Sequence, residues 1–269
     1  MAKVAVVTGS SSGIGYEVSL ALAKQGYTTY ATMRDASRGD KIFASKKNII
    51  VKELDVDSRS SIDTAMDEII AEQGRIDVLV NNAGYMIFGT IEDLSMDELR
   101  QQFETNFFGV ASMIQKTIPV MRRGGGGHII NMSSVVGRIG FPGTPAYISS
   151  KFALEGFSES LRYELEPDNI KVILIEPGVV STRFFHSMKL PSGGLRSSQD
   201  KTVSESLKMM AEMGTSPSEV AQTIIAAIDE DDPQLRYPVG QDAIMFLNAR
   251  NSHNDEEFEK FIKEQLAQI

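Results

Sequence analysis

Short apolar segments alternate with helical patterns along almost the whole chain, and this alternation restricts the possible folds more than any other feature. Seven segments are nearly continuously apolar, as strands buried on both faces are. They cover residues 4–7, 28–33, 49–54, 78–81, 129–132, 172–175 and 235–238. Strands that alternate with helices pair in parallel, so the pattern predicts a parallel sheet of about seven strands with helices on both faces.

The helices between these strands have recognisable ends. A long helix is expected to follow Ser95, because Ser95 and Glu98 form a capping box. Pro119 should end or bend that helix. A second long helix is predicted over residues 145–166. The predicted fold class is therefore α/β, a single-domain, doubly wound Rossmann fold.

The chain length suits one large α/β domain, because no linker-like stretch divides the 269 residues. We therefore assign residues 1–269 to a single domain. Residues 182–215 lack clean periodicity and include the sequence PSGGLRSSQD. We interpret them as a segment that covers the substrate.

The composition argues against several classes of function. The net charge is −9 and no concentrated basic face is visible, which argues against nucleic-acid binding. No stretch approaches the ~18 apolar residues of a membrane span. The chain has no cysteine, which excludes disulfides and thiol catalysis, and its three histidines lack metal-site spacing, so no metal is expected. The N-terminus resembles no secretory signal, and we expect a cytoplasmic protein.

The sequence TGSSSGIG, residues 8–15, lies between the first predicted strand and the first helix. In a doubly wound sheet this loop lies at the ligand-binding end. Glycines allow close approach of the backbone, and a helix N-terminus attracts phosphate. The loop is thus predicted to bind a pyrophosphate, although its spacing matches neither G-x-G-x-x-G nor a P-loop. The candidate residues are Gly9, Ser11, Ser12, Gly13, Ile14 and Gly15.

Three polar side chains are predicted to meet at the same end of the sheet. Tyr147 and Lys151 are four residues apart and share one helix face, and Ser134 follows the strand at 129–132. A phenol has a pKa near ~10 and is a poor base at neutral pH. We expect the Lys151 ammonium and a cationic nicotinamide to lower the pKa of Tyr147. Tyr147 could then exchange a proton with a carbonyl or alcohol oxygen that Ser134 holds.

Together these motifs resemble those of the short-chain dehydrogenase/reductase family, in order and over nearly the whole chain. TGSSSGIG resembles the cofactor loop of the family, NNAG at 81–84 its central-strand motif, and EPGVVSTRF at 176–184 its nicotinamide-facing segment. The residues that match its catalytic tetrad are Asn106, Ser134, Tyr147 and Lys151. The resemblance implies an oxidoreductase that acts on a small carbonyl or alcohol.

The resemblance also implies roles for residues that the spacing alone does not assign. Asn106 would open its helix slightly and hold a water that links Lys151 to solvent. Asp55 would contact the adenine with its carboxylate, with Val56 helping through its backbone. The remaining implied cofactor contacts are Asn82, Ala83 and Gly84 beside the ribose and nicotinamide, Pro177 and Gly178 in a turn, Val179 against the nicotinamide, and Thr182.

The end of the second strand should distinguish NADP(H) from NAD(H). An acidic residue there would bind the free ribose 2′-hydroxyl, whereas an arginine would bind a 2′-phosphate. By the family's alignment the acidic position falls on Met33, and Arg34 follows at once. We therefore favour NADP(H), with Ser12 as a further phosphate contact. Asp35 would be the ribose reader if the enzyme preferred NAD(H).

Apolar side chains are expected around the nicotinamide end. They come from residues 135–143, from Tyr85, Met86 and Phe88, and from Phe184, Phe185, Met188 and Leu190. Such a pocket fits a hydrophobic ketone or alcohol. The resemblance further implies a homodimer or homotetramer, with Phe107, Phe108, Phe152 and Phe157 as either core or partner contacts. A catalytically silent cofactor sensor or scaffold is the alternative from another class, whereas an epimerase or dehydratase would need a larger substrate domain.

Overall fold

A computed structural model describes residues 2–195, 209 and 212–267, and it contains one seven-stranded parallel sheet. The strand order is β3-β2-β1-β4-β5-β6-β7. The strands are β1 (Val4–Val7), β2 (Thr28–Met33), β3 (Ile49–Glu53), β4 (Val78–Asn81), β5 (Gly127–Met132), β6 (Ile170–Pro177) and β7 (Arg236–Val239). The predicted sheet is confirmed, although four of its strands differ from their expected limits by one or two residues.

Helices pack on both faces of this sheet. They are α1 (Gly13–Lys24), α2 (Ala36–Phe43), α3 (Arg59–Gln73), α4 (Met96–Phe103), α5 (Gly109–Gly124), α6 (Pro145–Leu165), α7 (Pro217–Asp229), α8 (Gln241–Ser252) and α9 (Asp255–Leu266). A π-helical segment, Glu104–Phe108, joins α4 to α5, and 3-10 turns cover Val135–Gly137 and Glu166–Asp168. The predicted doubly wound α/β class is confirmed.

Side chains of the central strands alternate between two hydrophobic cores. Val4 and Val6 of β1 pack with residues of α3, α5 and α6 on one face. Ala5 and Val7 pack with residues of α1 and α7 on the other face. All four are completely buried, as the continuous apolar sequence of β1 requires.

The strand order reverses beside β1, and this reversal positions the binding site. The chain proceeds from β1 outward to β3 and then returns to place β4 on the other side of β1. Loops that leave β1 and β4 therefore diverge and open a crevice at the carboxyl ends of the strands, where doubly wound sheets bind ligands.

Of the two outcomes expected at Pro119, an end or a bend of the helix, the first does not occur. Helix α5 continues past Pro119 to Gly124. Proline removes the hydrogen bond to the carbonyl four residues earlier, here that of Gln115. Both residues are exposed, so water can satisfy that carbonyl and the helix persists. The predicted capping box of Ser95 and Glu98 is present at the start of α4.

The segment 182–215 is described only in part, because residues 196–208, 210 and 211 lie outside the described residues. Its first part crosses the loop after β4 through a parallel bridge between Ile87 and Lys189. The Ser192 backbone N–H donates to Glu98 Oε1 at 2.7 Å. Within the described ranges, no helix has both the length and the apolar character to cross a membrane.

Candidate active site

A cavity of about 540 Å³ opens at the carboxyl ends of the strands and collects nearly all of the predicted site residues. Its volume falls within the range of small-molecule sites, ~300–1,000 Å³. The predicted residues that line it are Gly9, Ser11, Ser12, Gly13, Ile14, Arg34, Asp55, Val56, Asn82, Ala83, Gly84, Ser134, Tyr147, Lys151, Pro177, Gly178, Val179 and Thr182. Gly15 and Asn106 lie behind this lining rather than on it.

The glycine loop needs glycine for two different reasons. Gly9 and Gly13 have φ values of +68° and +58°, which side chains other than glycine rarely adopt. Gly15 has no room for a side chain, because a Cβ would lie 2.4 Å from the Gly9 carbonyl oxygen. Helix α1 begins directly behind this loop, and the Ser12 side chain accepts no hydrogen bond from it. The first N–H groups of α1 therefore remain available to an anion in the cavity.

Thr8 and Asn82 fasten the glycine loop to the loop after β4. The Thr8 hydroxyl oxygen accepts hydrogen bonds from the backbone N–H groups of Asn82 and Ala83, each at 3.0 Å. The Asn82 side chain donates to the carbonyls of Thr8 and Gly9 at 2.9 and 3.1 Å. Sequence reasoning did not single out Thr8, and it assigned Asn82 only to the cofactor. The position of Thr8 directly before the first glycine of the loop was the sequence feature that could have indicated this contact.

Tyr147 and Lys151 lie on one face of α6 with Ser134 opposite them. Both α6 side chains are buried, and the Lys151 ammonium lies 5.6 Å from the centroid of the Tyr147 ring. Lys151 Nζ donates to the Met132 carbonyl at 2.7 Å. The Ser134 hydroxyl donates to the Pro177 carbonyl at 3.3 Å, and it also interacts with the Tyr147 phenol. These contacts bring the ends of β5 and β6 against the face of α6 that carries Tyr147 and Lys151.

Burial dominates the protonation of Tyr147 and Lys151. Burial raises the pKa of Tyr147, and the hydrogen bond with Ser134 opposes that shift without cancelling it. In the chain alone the cost of burying a phenolate dominates, and the decrease expected from Lys151 together with a cationic nicotinamide stays a prediction. Burial also lowers the pKa of Lys151 to about 8, and the nearby Glu155 carboxylate opposes that change.

Asn106 lies in the middle of the π-helical segment Glu104–Phe108, so its helix is opened at that residue. Its side chain donates to the Tyr85 carbonyl at 3.0 Å and to the Ser150 hydroxyl at 3.2 Å. Its Oδ1 accepts from the Tyr85 backbone N–H at 3.2 Å. Asn106 thus ties the loop after β4 to α6, one residue before Lys151.

Arg34 is a cationic side chain that lines the cavity where β2 ends, and the largely buried Met33 lines it there too. Asp35 is exposed at the start of α2. Asp35 accepts a hydrogen bond from the Ser37 hydroxyl at 2.6 Å and does not line the cavity. Asp55 lines the cavity while its carboxylate accepts from the Asp57 backbone N–H at 3.1 Å.

The turn after β6 is held by a residue that the sequence did not reveal. Asp242, in the first turn of α8, accepts a hydrogen bond from the Val179 N–H at 2.7 Å. A Cβ on Gly178 would lie 2.2 Å from this carboxylate. The contact joins residues 63 positions apart, and no local pattern signals it.

The other half of the cavity is mostly apolar, but some expected wall residues are not part of it. Phe184 lies against Tyr147 with the ring centroids 5.8 Å apart. The further apolar lining residues include Met86, Val135, Val136, Ile139, Phe141, Phe185 and Phe246. Phe88 and Met188 are instead buried behind the wall, and Leu190 is 50% exposed. Within the described ranges, no cluster of side chains could hold a metal.

Comparison with known proteins gives consistent relatives. A family model described as short chain dehydrogenase matches residues 3–191. The oxidoreductase YusZ of Bacillus subtilis is 37% identical over 277 residues, covering 98% of both chains. A 3-ketodihydrosphingosine reductase of Bacteroides thetaiotaomicron is 36% identical over 88% of both chains. Human retinol dehydrogenase 8 is 36% identical over 87% of this chain and 80% of its own.

Solved structures share the fold along most of the chain. A short-chain dehydrogenase from Streptomyces avermitilis superposes with a TM-score of 0.85 at 32% identity, covering 100% of this chain and 98% of its own. An alcohol dehydrogenase from Thermococcus sibiricus, complexed with 5-hydroxy-NADP, has a TM-score of 0.72 at 25% identity over 89% and 97% of the two chains. A Burkholderia phymatum protein in complex with NAD shares the fold, with a TM-score of 0.79 at 23% identity over 87% and 88%.

The comparisons agree with the geometry of the site. The family match extends over residues 3–191, which include β1 to β6 and all three of Ser134, Tyr147 and Lys151. The chain belongs to the short-chain dehydrogenase/reductase family of oxidoreductases.

Proposed function

We propose that the protein interconverts a ketone or aldehyde and its alcohol by hydride transfer, with NADP(H) preferred to NAD(H) and Tyr147 as the acid/base. The observation that carries this proposal is the shared cavity, which joins the glycine loop at one end to Ser134, Tyr147 and Lys151 at the other. A catalytically silent sensor would be expected to lack one of Ser134, Tyr147 and Lys151, and all three are present.

The cavity residues fit a nicotinamide dinucleotide. The glycine loop leaves backbone N–H groups at the start of α1 for a pyrophosphate, and Asp55 and Val56 lie where an adenine would be held. Val179 and Thr182 also line the cavity, and Thr182 lies against the glycine loop, where a Cβ on Gly13 would be 3.2 Å from its Cγ2. When bound, the nicotinamide would give or take the hydride, which no side chain of this protein can do.

The protonation of the catalytic group favours carbonyl reduction. Burial raises the pKa of Tyr147, so its phenol keeps its proton at neutral pH and acts as a donor. Ser134 would hold the same carbonyl oxygen, because its hydroxyl also interacts with the phenol. Lys151, anchored on the Met132 carbonyl, would replace the proton that Tyr147 releases.

The preference for NADP(H) rests on the contrast between Arg34 and Asp35. Arg34 lines the adenosine end of the cavity, where its guanidinium could bind a 2′-phosphate. Asp35 is instead occupied at the start of α2 by Ser37. The buried Met33 offers no carboxylate to a free ribose hydroxyl.

An apolar substrate is supported by the aromatic side chains beside Tyr147. Phe184, Phe185 and Phe141 line that half of the cavity. Two relatives are named for reactions on long hydrophobic molecules, 3-ketodihydrosphingosine and retinol. We propose that this chain takes a hydrophobic ketone or aldehyde, with residues 182–195 forming part of the cover.

Two exposed aromatic side chains support assembly into a homodimer or homotetramer. Phe108 is 50% exposed beside α5, and Phe152 on α6 is 46% exposed. Large apolar side chains in a shared patch favour a protein partner. Sedimentation velocity should show an oligomer for the native chain and a smaller species for Phe108→Ser/Phe152→Ser. A native monomer would contradict this part of the proposal. The cytoplasmic location stays a prediction.

The cofactor assignment is tested by titrating the protein with NADPH and NADH, following the fluorescence of the bound nicotinamide at fixed salt. We expect tighter NADPH binding, and Arg34→Ala should weaken NADPH about tenfold or more while leaving NADH unchanged, because a charge-assisted phosphate contact is lost. Arg38→Ala is the matched control, since Arg38 is exposed on α2 and outside the cavity lining. Tighter NADH binding would overturn the preference and point to Asp35.

A further inference from the structure

Two buried glutamates lie behind the catalytic face of α6, and the reaction described above does not use them. Glu155 is four residues after Lys151 on the same helix face and is 4% exposed. Glu176, directly before the Pro177–Gly178 turn, is completely buried. Charged groups are rarely buried unless they are paired, so their partners indicate what they do.

Two arginines reach these carboxylates from neighbouring elements. Arg236 on β7 donates from Nε to Glu155 at 2.9 Å and lies 3.5 Å from Glu176. Its Nη2 donates to the half-exposed Glu159 at 2.7 Å. Arg138, from the loop after β5, contacts Glu176 at 3.4 Å. The shorter bond from Arg236 favours Glu155 as the charged member of the buried pair.

Each buried carboxylate has one oxygen without a partner. Glu155 Oε1 and Glu176 Oε2 make no hydrogen bond to the described part of the chain, and neither does the Ser133 hydroxyl. A Cβ on Gly137 would lie 2.7 Å from Ser133 Oγ and 3.3 Å from Glu155 Oε1. Glu155 Oε2 and Glu176 Oε1 share the Nε of Arg236, so the two carboxylates lie close together and their mutual repulsion disfavours ionisation of both. Burial, followed by the charge of Glu155, raises the pKa of Glu176 to about 7.

The same charge acts on Lys151, whose ammonium is bound to the Met132 carbonyl. The titratable groups that act on it directly are Tyr147, whose ring centroid lies 5.6 Å from the ammonium, and Glu155. Beyond Glu155 lies Arg236, which with Arg138 contacts Glu176. Burial lowers the pKa of Lys151 to about 8, and Glu155 is the group that opposes this loss of charge. Without Glu155, a substantial fraction of Lys151 would be neutral near neutral pH.

We propose that Glu155, fixed by Arg236 and kept as the charged member of its pair with Glu176, is a positioning residue that keeps Lys151 cationic. This inference rests on the proposed function, in which Lys151 supplies the proton that Tyr147 releases. The ion pair between Arg236 and Glu155 then has a role in the reaction, in addition to holding β7 against α6.

The test measures the titration of Lys151 itself. Lysine side chains are labelled with ¹³C, the Cε signals are followed by NMR over pH, and Lys151→Arg assigns the signal. Glu155→Gln should lower the pKa of Lys151 by about 1, since an opposite charge nearby typically shifts a pKa by ~1–3. Glu155→Asp should restore most of that loss. Glu159→Gln is the matched control, because it removes a carboxylate that binds Arg236 at the surface. This variant should leave the pKa of Lys151 unchanged.

Two results would overturn the inference: a folded Glu155→Gln with an unchanged Lys151 titration, or an equal shift in Glu159→Gln. If Glu155→Gln does not fold, Glu155→Gln/Arg236→Gln removes acid and counter-ion together and should still lower the pKa of Lys151. In NADPH-dependent carbonyl reduction by Glu155→Gln, the pKa of the alkaline limb of the kcat–pH profile should decrease by the same amount. The NMR shift requires no turnover, so a chain that shows it but reduces no carbonyl contradicts the proposed function alone.

Discussion

The Asp242 carboxylate accepts a hydrogen bond from the Val179 backbone N–H at 2.7 Å. This contact connects the start of α8 to the turn after β6, which lines the cavity. It also explains Gly178, since the Asp242 carboxylate occupies the space of a Cβ there. A residue in the last third of the chain therefore fixes this turn through its carboxylate.

Removing this carboxylate should loosen the turn. A hydrogen bond to a charged group contributes about 1.5–3 kcal/mol, so Asp242→Ala should weaken NADPH binding roughly tenfold or more. Asp242→Asn keeps an acceptor and should lose much less. The comparison by fluorescence titration uses Asp97→Ala as its control, because Asp97 is also in a first helical turn but is exposed. Equal effects of Asp97→Ala and Asp242→Ala would contradict this assignment.

The glycine loop should not tolerate a methyl group at Gly15. A Cβ there would lie 2.4 Å from the Gly9 carbonyl oxygen and 2.5 Å from Asn82 Nδ2. We expect Gly15→Ala to reduce the free energy of unfolding by about 1–3 kcal/mol and to weaken both cofactors. Gly156→Ala on α6 meets no atom within 4 Å and should be neutral or slightly stabilising. Chemical denaturation measures both, and a stable Gly15→Ala would refute the steric argument.

The Thr8 hydroxyl should contribute to folding even though it reacts with nothing. It satisfies two backbone N–H groups, and Thr8→Val would leave both without an acceptor. The expected cost is about 1–3 kcal/mol in the free energy of unfolding, together with weaker NADPH binding. Thr223→Val, which removes a hydroxyl on α7 that bonds only its own helix, should change stability little. Similar losses in the two variants would show that the loop contact is unimportant.

The contribution of Glu98 to the free energy of unfolding should decrease at acid pH. Hydrogen bonds from the backbone of Ser95 and then of Ser192 lower its pKa from the ordinary value of 4.5 to about 2. A carboxylate with a lowered folded pKa stabilises above its unfolded pKa, and this contribution disappears as pH falls from 4.5 towards 2. The Tm difference between the native chain and Glu98→Gln should shrink over that interval. A difference that stays constant from pH 6 to 2 would contradict the assignment.

The sheet and the reactive residues could be predicted because local patterns encode them. Continuous apolar segments marked all seven strands, and the four-residue spacing of Tyr147 and Lys151 placed both on one face of α6. The persistence of α5 beyond Pro119 depends on exposure, which only the folded chain determines. A local sequence pattern does not indicate which backbone carbonyls are accessible to water.

Long-range contacts account for most of what the sequence did not reveal. Asp242 meets Val179 across 63 residues, and Arg236 meets Glu155 across 81. The burial of the Tyr147 phenol, which raises its pKa in the chain alone, could not be predicted either, because it is a property of the packed site. The positions of Phe88 and Leu190 could not be predicted for the same reason. Phe88 is buried behind the cavity wall, and Leu190 is exposed to solvent.

The most direct test of the central claim measures deuterium transfer to a hydrophobic aldehyde or ketone in the presence of NADPH deuterated at both C4 positions. The native chain should form deuterated alcohol. Tyr147→Phe should still bind NADPH but form product ~100- to 10,000-fold more slowly, because it lacks the proton donor. Tyr163→Phe, exposed on the same helix, should match the native rate. Equal rates in Tyr147→Phe and the native chain, or no transfer by a native chain that binds NADPH, would contradict the account.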